Sequence, residues 1–204
     1  MTRKLNETEK GKVREHFYSA KMRTLFKLDG PLEKAMCRNF EFDDNIRRYC
    51  TQPFSTIYKG PDGEQHRYTQ DALIEYQDLS LDHIEIKSAL YAKAPAFQNQ
   101  FACLERHYEQ RYGAPLTLYK DTRYTKSHFK NCKMLYRFRV QAINPDEQRL
   151  IDKRAFKLLT FAEFKDYVMS KGLSLATAFK LLAHNRVDWE LNDALTDETL
   201  LEVR

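Results

Sequence analysis

The sequence predicts an α/β unit built on a mixed sheet flanked by helices, followed by a smaller and mostly helical unit. Hydrophobic residues make up 42% and charged residues 31% of the 204 residues, with only six Gly and six Pro, which excludes disordered and low-complexity chains. This length suits one large domain or two small ones. Strand and helix patterns mix up to about residue 120, and helical patterns dominate after it. We therefore expect a basic N-terminal arm at 1–30 and domains at 31–121 and 122–204.

Composition also limits the compartment. No apolar run approaches the roughly 20 residues that cross a bilayer, and the first residues lack the apolar core of a signal peptide. The four cysteines are widely spaced, with no CxxC pair, so we interpret them as reduced thiols rather than as zinc ligands or disulfides. We expect a cytoplasmic protein.

The net charge of +5 is modest, but it is unevenly distributed. Residues 1–30 hold eight basic and four acidic side chains, and residues 120–139 hold seven basic side chains against one acid. Residues 188–204 hold six acids against one arginine. The two ends of the chain should therefore meet different partners.

The elements of the first unit follow in order. The arm at 1–30 is predicted either as a partly ordered tail or as a short helix. Pro31 then begins an amphipathic helix whose apolar residues are Leu32, Ala35, Met36 and Phe40.

Three antiparallel stretches come next. Strands are predicted at 46–50 and 54–58, and the turn Lys59-Gly60-Pro61-Asp62-Gly63 leads into a returning strand at 66–76. In the strand at 83–87, alternation places Glu85 and Lys87 on one face. A helix over 93–112 and a buried strand at 116–119 complete the sheet.

The second unit is predicted from helix signals. Asn144-Pro145 begins a helix that carries Leu150, Ile151, Leu158 and Leu159, and Thr160 with Glu163 predicts a capping box. Ser174 can cap a last helix. Segments 187–191 and 199–203 can then pair as a small hairpin, an arrangement typical of a winged-helix-like module.

The residues with a chemical use are Glu33 on the first helix, Asp71 in the returning strand, and Glu85 and Lys87. Neighbouring strands can bring Asp71 beside Glu85 and Lys87. Converging carboxylates can hold Mg²⁺, and a lysine can orient or deprotonate water and neutralise charge on a phosphate. Spacing alone is a weak signal, because alternating Glu and Lys is also ordinary for a solvated strand face.

Three segments strengthen this interpretation: LEKAMCRNFEFDDNIRRYCTQPF, IYKGPDGEQHRYTQDALIEY and HIEIKSA. In order and spacing they resemble the nuclease domain of TnsA, the endonuclease subunit of Tn-seven-like heteromeric transposases, which belongs to the PD-(D/E)XK nuclease superfamily. LATAFKLLAHNRVDWELNDAL is similar to the C-terminal winged-helix part of that family. The resemblance implies a restriction-endonuclease-like nuclease domain and a winged-helix-like C-terminal domain.

Carried over position by position, the resemblance implies metal ligands at Asp71 and Glu85, completed by Glu33, with Lys87 acting on the nucleophilic water. It implies Mg²⁺ as cofactor, with Mn²⁺ as a substitute. The Gln52-Pro53 pair fits the family pattern and is expected to be structural. Gln70 stands where the superfamily usually has proline, a position that shapes the strand bend and ligates nothing.

Further residues are assigned to DNA contact. Gln98 could orient water or a backbone phosphate, although an exposed helix glutamine is the simpler interpretation. A basic segment with interleaved aromatics suits phosphate contact or a solvated charged face. Its members are Lys120, Arg123, Lys126, Lys130, Lys133, Arg137 and Arg139. His66 and His83 flank the site and are interpreted as polar residues on half-exposed strands.

The resemblance implies an endonuclease that cuts the five-prime, non-transferred strands at transposon ends in bacterial, nucleoid-associated complexes. Its expected partners are transposon-end DNA, a DDE-type transposase subunit (TnsB-like) and, through the C-terminal domain, an AAA+ ATPase regulator (TnsC-like). No GxxxxGK[ST] loop is present, so the chain itself should not hydrolyse a nucleotide. Two alternatives remain open: a stand-alone restriction or repair nuclease of the same fold, and a non-catalytic DNA-binding accessory protein.

Overall fold

The computed structural model describes residues 15–152 and 158–203. Contacts divide the chain into two compact units between Arg123 and Tyr124, close to the boundary predicted at Asp121. The first unit contains a mixed sheet with helices, so the predicted α/β class is confirmed at that level.

The chain before Pro31 contains a β-hairpin, so the short helix considered for this segment is wrong over residues 15–28. Strands β1 (Glu15–Ser19) and β2 (Thr24–Leu28) pair antiparallel. Burial alternates along β1, where Phe17 and Ser19 face the core and their neighbours face solvent. The rest of the predicted arm, residues 1–14, lies outside the described residues.

Helix α1 (Pro31–Phe42) begins at Pro31 as predicted and is fixed at its end by the preceding hairpin. The Lys21 ammonium donates to the carbonyl oxygens of Phe40, Asp43 and Ile46, each at 2.7 Å. The Phe40 and Asp43 carbonyls lie at the helix C-terminus, where carbonyls lack intrahelical partners, and Ile46 begins the next strand. The hairpin, α1 and the next strand are therefore held in one arrangement.

The central sheet has four strands in the order β3, β6, β7, β8. Their bounds are Ile46–Thr51, Ala72–Tyr76, Leu81–Lys87 and Leu116–Lys120. The first two pairings are antiparallel and β7 pairs with β8 in parallel. Helix α2 (Pro95–Tyr112), preceded by a 3₁₀ turn at Tyr91–Lys93, forms the crossover that parallel neighbours require.

The returning strand predicted over 66–76 is two strands in two sheets, so that prediction is wrong at its centre. Strand β5 (Gln65–Thr69) pairs with β4 (Ser55–Lys59) in a separate hairpin, and the break at Gln70 and Asp71 leads into β6. At the break, the Asp71 N–H donates to the Ile84 carbonyl, and the Asp71 carbonyl accepts from the Gln52 N–H. These bonds carry the chain from the hairpin into the sheet.

The apolar face of α2 is buried. Phe97, Phe101, Leu104 and Tyr108 form a core cluster with Tyr58 and Leu116. Gly113 ends the helix with a φ of 70°, a left-handed conformation that favours glycine. This packing holds the β4–β5 hairpin against α2.

The second unit contains four helices among its described residues. The first, α3 (Lys126–Arg139), was not predicted. Its many basic residues obscure the helical pattern of its buried side, which holds Asn131, Cys132 and Leu135. Helix α4 spans Pro145–Asp152, α5 spans Phe161–Ser170 and α6 spans Leu175–Ala183.

Two predictions at helix starts have different outcomes. The capping box of Thr160 and Glu163 is confirmed at α5. Ser174 occupies the N-cap position of α6, but its side chain makes no capping hydrogen bond to the helix backbone. A third start, at Asn144 and Glu147, carries reciprocal bonds of 2.8 and 2.9 Å between side chain and backbone, the geometry of a capping box.

The prediction that Leu158 and Leu159 are helical is wrong. They belong to strand β9 (Leu158–Thr160). Strand β11 (Leu200–Val203) pairs with β9 on one side and with β10 (Val187–Asp188) on the other. The predicted terminal hairpin is thus part of a three-stranded sheet. Residues 153–157, which join α4 to β9, lie outside the described residues.

Within the part of the chain that the structure describes, no helix has both the length and the apolar character to cross a membrane.

Candidate active site

Three of the four predicted site residues meet at the end of β7. Lys87 Nζ lies 2.5 Å from Glu85 Oε1 and 3.8 Å from Asp71 Oδ2. Glu85 and Lys87 share a face of β7 because strand side chains alternate. Asp71 comes from the break before β6, the strand that pairs with β7. We call Asp71, Glu85 and Lys87 the carboxylate–lysine cluster.

The Asp71 carboxylate is held by the strand opposite it. Its Oδ2 accepts from the Ile86 N–H at 2.7 Å, while its own N–H bonds to the Ile84 carbonyl. The side chain is therefore fixed against the end of β7, with its position set by a backbone N–H group. A regular strand through Asp71 would pair it differently, so the break between β5 and β6 is part of the site.

Glu85 is almost completely buried, at 4% exposure, which contradicts the view of its strand face as solvated. One carboxylate oxygen contacts Lys87, and the other accepts a hydrogen bond from the Tyr68 hydroxyl. Sequence reasoning missed Tyr68. A signal was available, because alternation along β5 places the Tyr68 side chain on the inner face of the hairpin.

Glu33 lies on α1 without a direct hydrogen bond to the cluster. Its Oε2 accepts from the Asp29 N–H at 3.2 Å, so it is fixed at the start of the helix. Burial raises the pKa of the Glu33 carboxyl, and the Asp29 N–H and, to a smaller extent, the nearby Lys87 ammonium oppose that change. Glu33 therefore influences the cluster through its charge.

The electrostatics of the cluster show an excess of negative charge. Burial, and then the Glu85 carboxylate, raise the pKa of Asp71 well above its usual range. Burial alone would lower the pKa of Lys87, but the carboxylates of Asp71 and Glu85 outweigh it and raise that pKa. Three carboxylates around one ammonium form a site that an added cation would stabilise.

The donor atoms of the cluster determine whether a metal ion could bind there. Among residues 15–152 and 158–203, no three His, Cys, Asp or Glu side chains lie close enough together to hold an ion. The chemistry of the donors nevertheless suits Mg²⁺, because Asp71 and Glu85 offer carboxylate oxygens in a region of surplus negative charge. Asp71 and Glu85 are the residues that would hold it, with the Lys87 ammonium now beside them.

Gln70, at the break before β6, has defined structural partners. It is fully buried, and its amide donates to the Ala72 carbonyl at 3.1 Å and bonds to His83 Nδ1 at 2.9 Å. His83 is 5% exposed, so the prediction of a half-exposed histidine is wrong there. His66 instead bonds to Asp62 in the hairpin turn.

Gln52 supports the same break from the other side. It adopts a positive φ of 47° between β3 and β4 and donates its N–H to the Asp71 carbonyl at 2.9 Å. Asparagine and glycine are the usual residues in this conformation, so the surrounding contacts must hold the Gln52 backbone in it. Its position is the entry to the β4–β5 hairpin.

The residues assigned to DNA contact are distributed over both units. Gln98 is exposed on α2 and makes no hydrogen bond to the cluster. Lys120 is exposed and is the register partner of Lys87 on β8. Arg123 stacks over the Tyr119 ring at 3.8 Å. These three residues belong to the first unit.

In the second unit, the basic residues of α3 follow a helical period that the sequence interpretation did not use. Lys126, Lys130, Lys133 and Arg137 are spaced at i, i+4, i+7 and i+11 and are all exposed, so they share one face. Arg139 differs from them, because it donates to the Ala183 carbonyl at the end of α6.

No protein-family model matches the chain, and comparison with curated proteins finds no match.

Proposed function

We propose that the chain is a metal-dependent DNA endonuclease that hydrolyses phosphodiester bonds at the carboxylate–lysine cluster. The observation that carries the proposal is the meeting of Asp71, Glu85 and Lys87 at one end of β7. Phosphodiester hydrolysis needs stabilisation of charge on the phosphate and an oriented water, and these residue types supply both.

Each residue has a role that follows from its contacts. Asp71, fixed by the Ile86 N–H, and Glu85, fixed by the Tyr68 hydroxyl, would hold Mg²⁺ or Mn²⁺. The bound ion would activate water and stabilise the leaving oxygen. Lys87 presents an ammonium that can donate to water or to a phosphate oxygen, and Glu33 adds negative charge to the same region.

The finer assignment rests on the resemblance to the TnsA family. We propose a restriction-endonuclease-like first unit and a winged-helix-like second unit, acting in the bacterial cytoplasm on nucleoid DNA. The chain would cut the five-prime strands at transposon ends together with a TnsB-like transposase and a TnsC-like ATPase. The exposed basic face of α3 and the exposed Lys120 support a nucleic-acid substrate.

The test is reconstituted transposition with the neighbouring transposase and ATPase, followed by sequencing of the products. The intact chain should give simple cut-and-paste insertions in Mg²⁺. Asp71→Asn and Lys87→Met should give cointegrates that carry the donor backbone, because only the other strand is cut. Arg47→Gln, which changes an exposed residue on β3, serves as the matched control and should behave as the intact chain does.

Simple insertions with both variants would show that the cluster does not cut DNA. If the chain then still bound DNA, the accessory-protein alternative would replace the nuclease. If the chain alone cut DNA fully in Mg²⁺, without either partner, the stand-alone nuclease alternative would replace the transposase subunit.

A further inference from the structure

A cleft of about 530 Å³ opens between the turn of the β4–β5 hairpin and the outer side of α2. The hairpin contributes Lys59 and the following turn residues, and α2 contributes Asn99, Arg106 and Gln110. No acidic residue lines it. We call this the hairpin–α2 cleft; none of the cluster residues lines it.

The cleft presents hydrogen-bond donors that the described part of the chain leaves unused. The Lys59 ammonium and the side-chain amides of Asn99 and Gln110 make no hydrogen bond or ion pair there. Arg106 donates through Nε to the Ala102 carbonyl at 3.3 Å and through Nη2 to Cys103 Sγ at 3.8 Å, which leaves Nη1 available.

Two cations and two amides facing one space fit a ligand that only accepts hydrogen bonds and carries negative charge. The acids of the same helix, Glu105 and Glu109, do not line the cleft. Phosphate oxygens have this chemistry, whereas an apolar ligand would leave these donors without partners.

The hairpin connects the cleft to the carboxylate–lysine cluster. Lys59 pairs with Gln65, and Tyr68, three residues further along β5, donates to Glu85. Three residues of strand span about 10 Å. The Tyr68 side chain adds to this length, so the cleft lies several nucleotides of B-form DNA, at about 3.4 Å each, from the cluster.

We propose that the hairpin–α2 cleft binds a backbone phosphate of DNA several nucleotides from the bond that the cluster cuts. Lys59 and Arg106 supply the charge, and Asn99 and Gln110 supply neutral hydrogen bonds. The proposal rests on the proposed function for its substrate. Its chemistry is independent of base sequence, as backbone contacts are.

The first experiment measures binding without cleavage. Affinity of the full chain for a labelled duplex is followed by fluorescence anisotropy in EDTA over a series of NaCl concentrations. Lys59→Gln and Arg106→Gln should each weaken binding equally for unrelated sequences and reduce the slope of log affinity against log salt by about one. Arg111→Gln removes the same charge from α2 outside the cleft and should leave the slope unchanged.

The second experiment uses the unmutated chain. Cys103 lines the cleft, so duplex DNA should slow its alkylation by a maleimide, as measured by mass spectrometry. Inorganic phosphate and a mononucleotide are the comparison probes. If inorganic phosphate or the mononucleotide protected Cys103 at the same total phosphate concentration as the duplex, the cleft would bind a free phosphate ligand. That result would overturn the DNA assignment.

Unchanged salt slopes in both cleft variants, or an equal loss in Arg111→Gln, would also overturn the proposal. Failure of the proposed function has a different signature. If the cleft variants weaken DNA binding but the intact chain never cuts DNA with its partners, the phosphate-binding cleft stands and the nuclease function falls.

Discussion

At the residue scale, the site depends on buried carboxylates whose second contacts hold them in place. Glu85 is placed between a lysine and a tyrosine, and the Asp71 carboxylate between the Ile86 N–H and the same lysine. Groups that orient metal ligands commonly change metal affinity or activity about 10- to 100-fold when removed. Under the proposed function Tyr68 would be such a group, because its hydroxyl donates to Glu85.

We predict that Tyr68→Phe raises the Mg²⁺ concentration for half-maximal cleavage about 10-fold, because Glu85 loses the donor that orients it. Tyr58→Phe is the matched control, since Tyr58 lies on the same hairpin but its hydroxyl accepts from Gln100 on α2 rather than contacting Glu85. Cleavage titrated with Mg²⁺ is the measurement. Equal Mg²⁺ dependence in both variants would remove Tyr68 from the site.

A second residue-scale prediction concerns stability without metal. Because the folded-state pKa of Asp71 is raised, its ionisation opposes folding at neutral pH, and this cost grows as pH rises from the unfolded value toward the folded one. Asp71→Asn should therefore unfold at a higher urea concentration in EDTA at pH 7. Added Mg²⁺ should stabilise the intact chain and leave the variant unchanged. A destabilised variant in EDTA would contradict this explanation.

At the element scale, helix ends in both units are fixed by side chains from distant segments. Lys21 holds the end of α1, and Glu147 combines a cap on α4 with an ion pair to Lys180 on α6. That pair is well buried, with side-chain exposures of 6% and 12%. Removing one partner of a buried pair typically costs about 3–5 kcal/mol.

This pair predicts an acid-dependent loss of stability. Burial raises the pKa of Glu147, but hydrogen bonds from Lys180 and Asn144 outweigh it and lower that pKa. A lowered folded-state pKa contributes stability above the unfolded value of about 4.5, and this is lost as pH falls through the folded value. The free energy of unfolding, measured with urea, should therefore decrease less between pH 6 and pH 3 for Glu147→Gln than for the intact chain.

Lys180→Met is the complementary variant for that experiment. It leaves Glu147 buried without its cation, so it should be destabilised at pH 7 by about 3–5 kcal/mol and recover part of that loss on acidification. Unfolding curves for Glu147→Gln and the intact chain that decline in parallel would show that other groups cause the acid sensitivity.

At the scale of the whole molecule, the two units carry different parts of the proposed function. The carboxylate–lysine cluster and the hairpin–α2 cleft lie within the first unit, and the basic face of α3 lies within the second. The first unit also contains its own sheet, both of its hairpins and a buried core. These features are those of a domain that folds alone.

We therefore predict that a chain truncated after Arg123 unfolds cooperatively and keeps its metal response. Mg²⁺ should raise its melting temperature, and Asp71→Asn in the same fragment should abolish that rise. Circular dichroism and thermal melts with and without Mg²⁺ are the measurements. A fragment without a cooperative transition would show that the second unit is needed for folding.

Local patterns were sufficient to predict α1, α2, the β4–β5 turn and the capping box at Thr160, because short-range periodicity and capping residues determine these elements. They also predicted that Asp71, Glu85 and Lys87 could meet, through the alternation of β7. They failed where a segment takes its structure from a distant partner. Leu158 and Leu159 form a strand because β11 pairs with them. The chain breaks at Gln70 and Asp71 because the residues before them pair with β4, whereas the residues after them pair with β3 and β7.

The amino-acid sequence by itself determined the mixed α/β class and the residue types of the site, since both depend on local order along the chain. Only the tertiary structure decided that Glu85 is buried, that Tyr68 holds it, and that Glu33 acts without direct contact. The physical reason is that burial and hydrogen-bond partners depend on which strands pair across the fold, and that information lies between segments rather than within them.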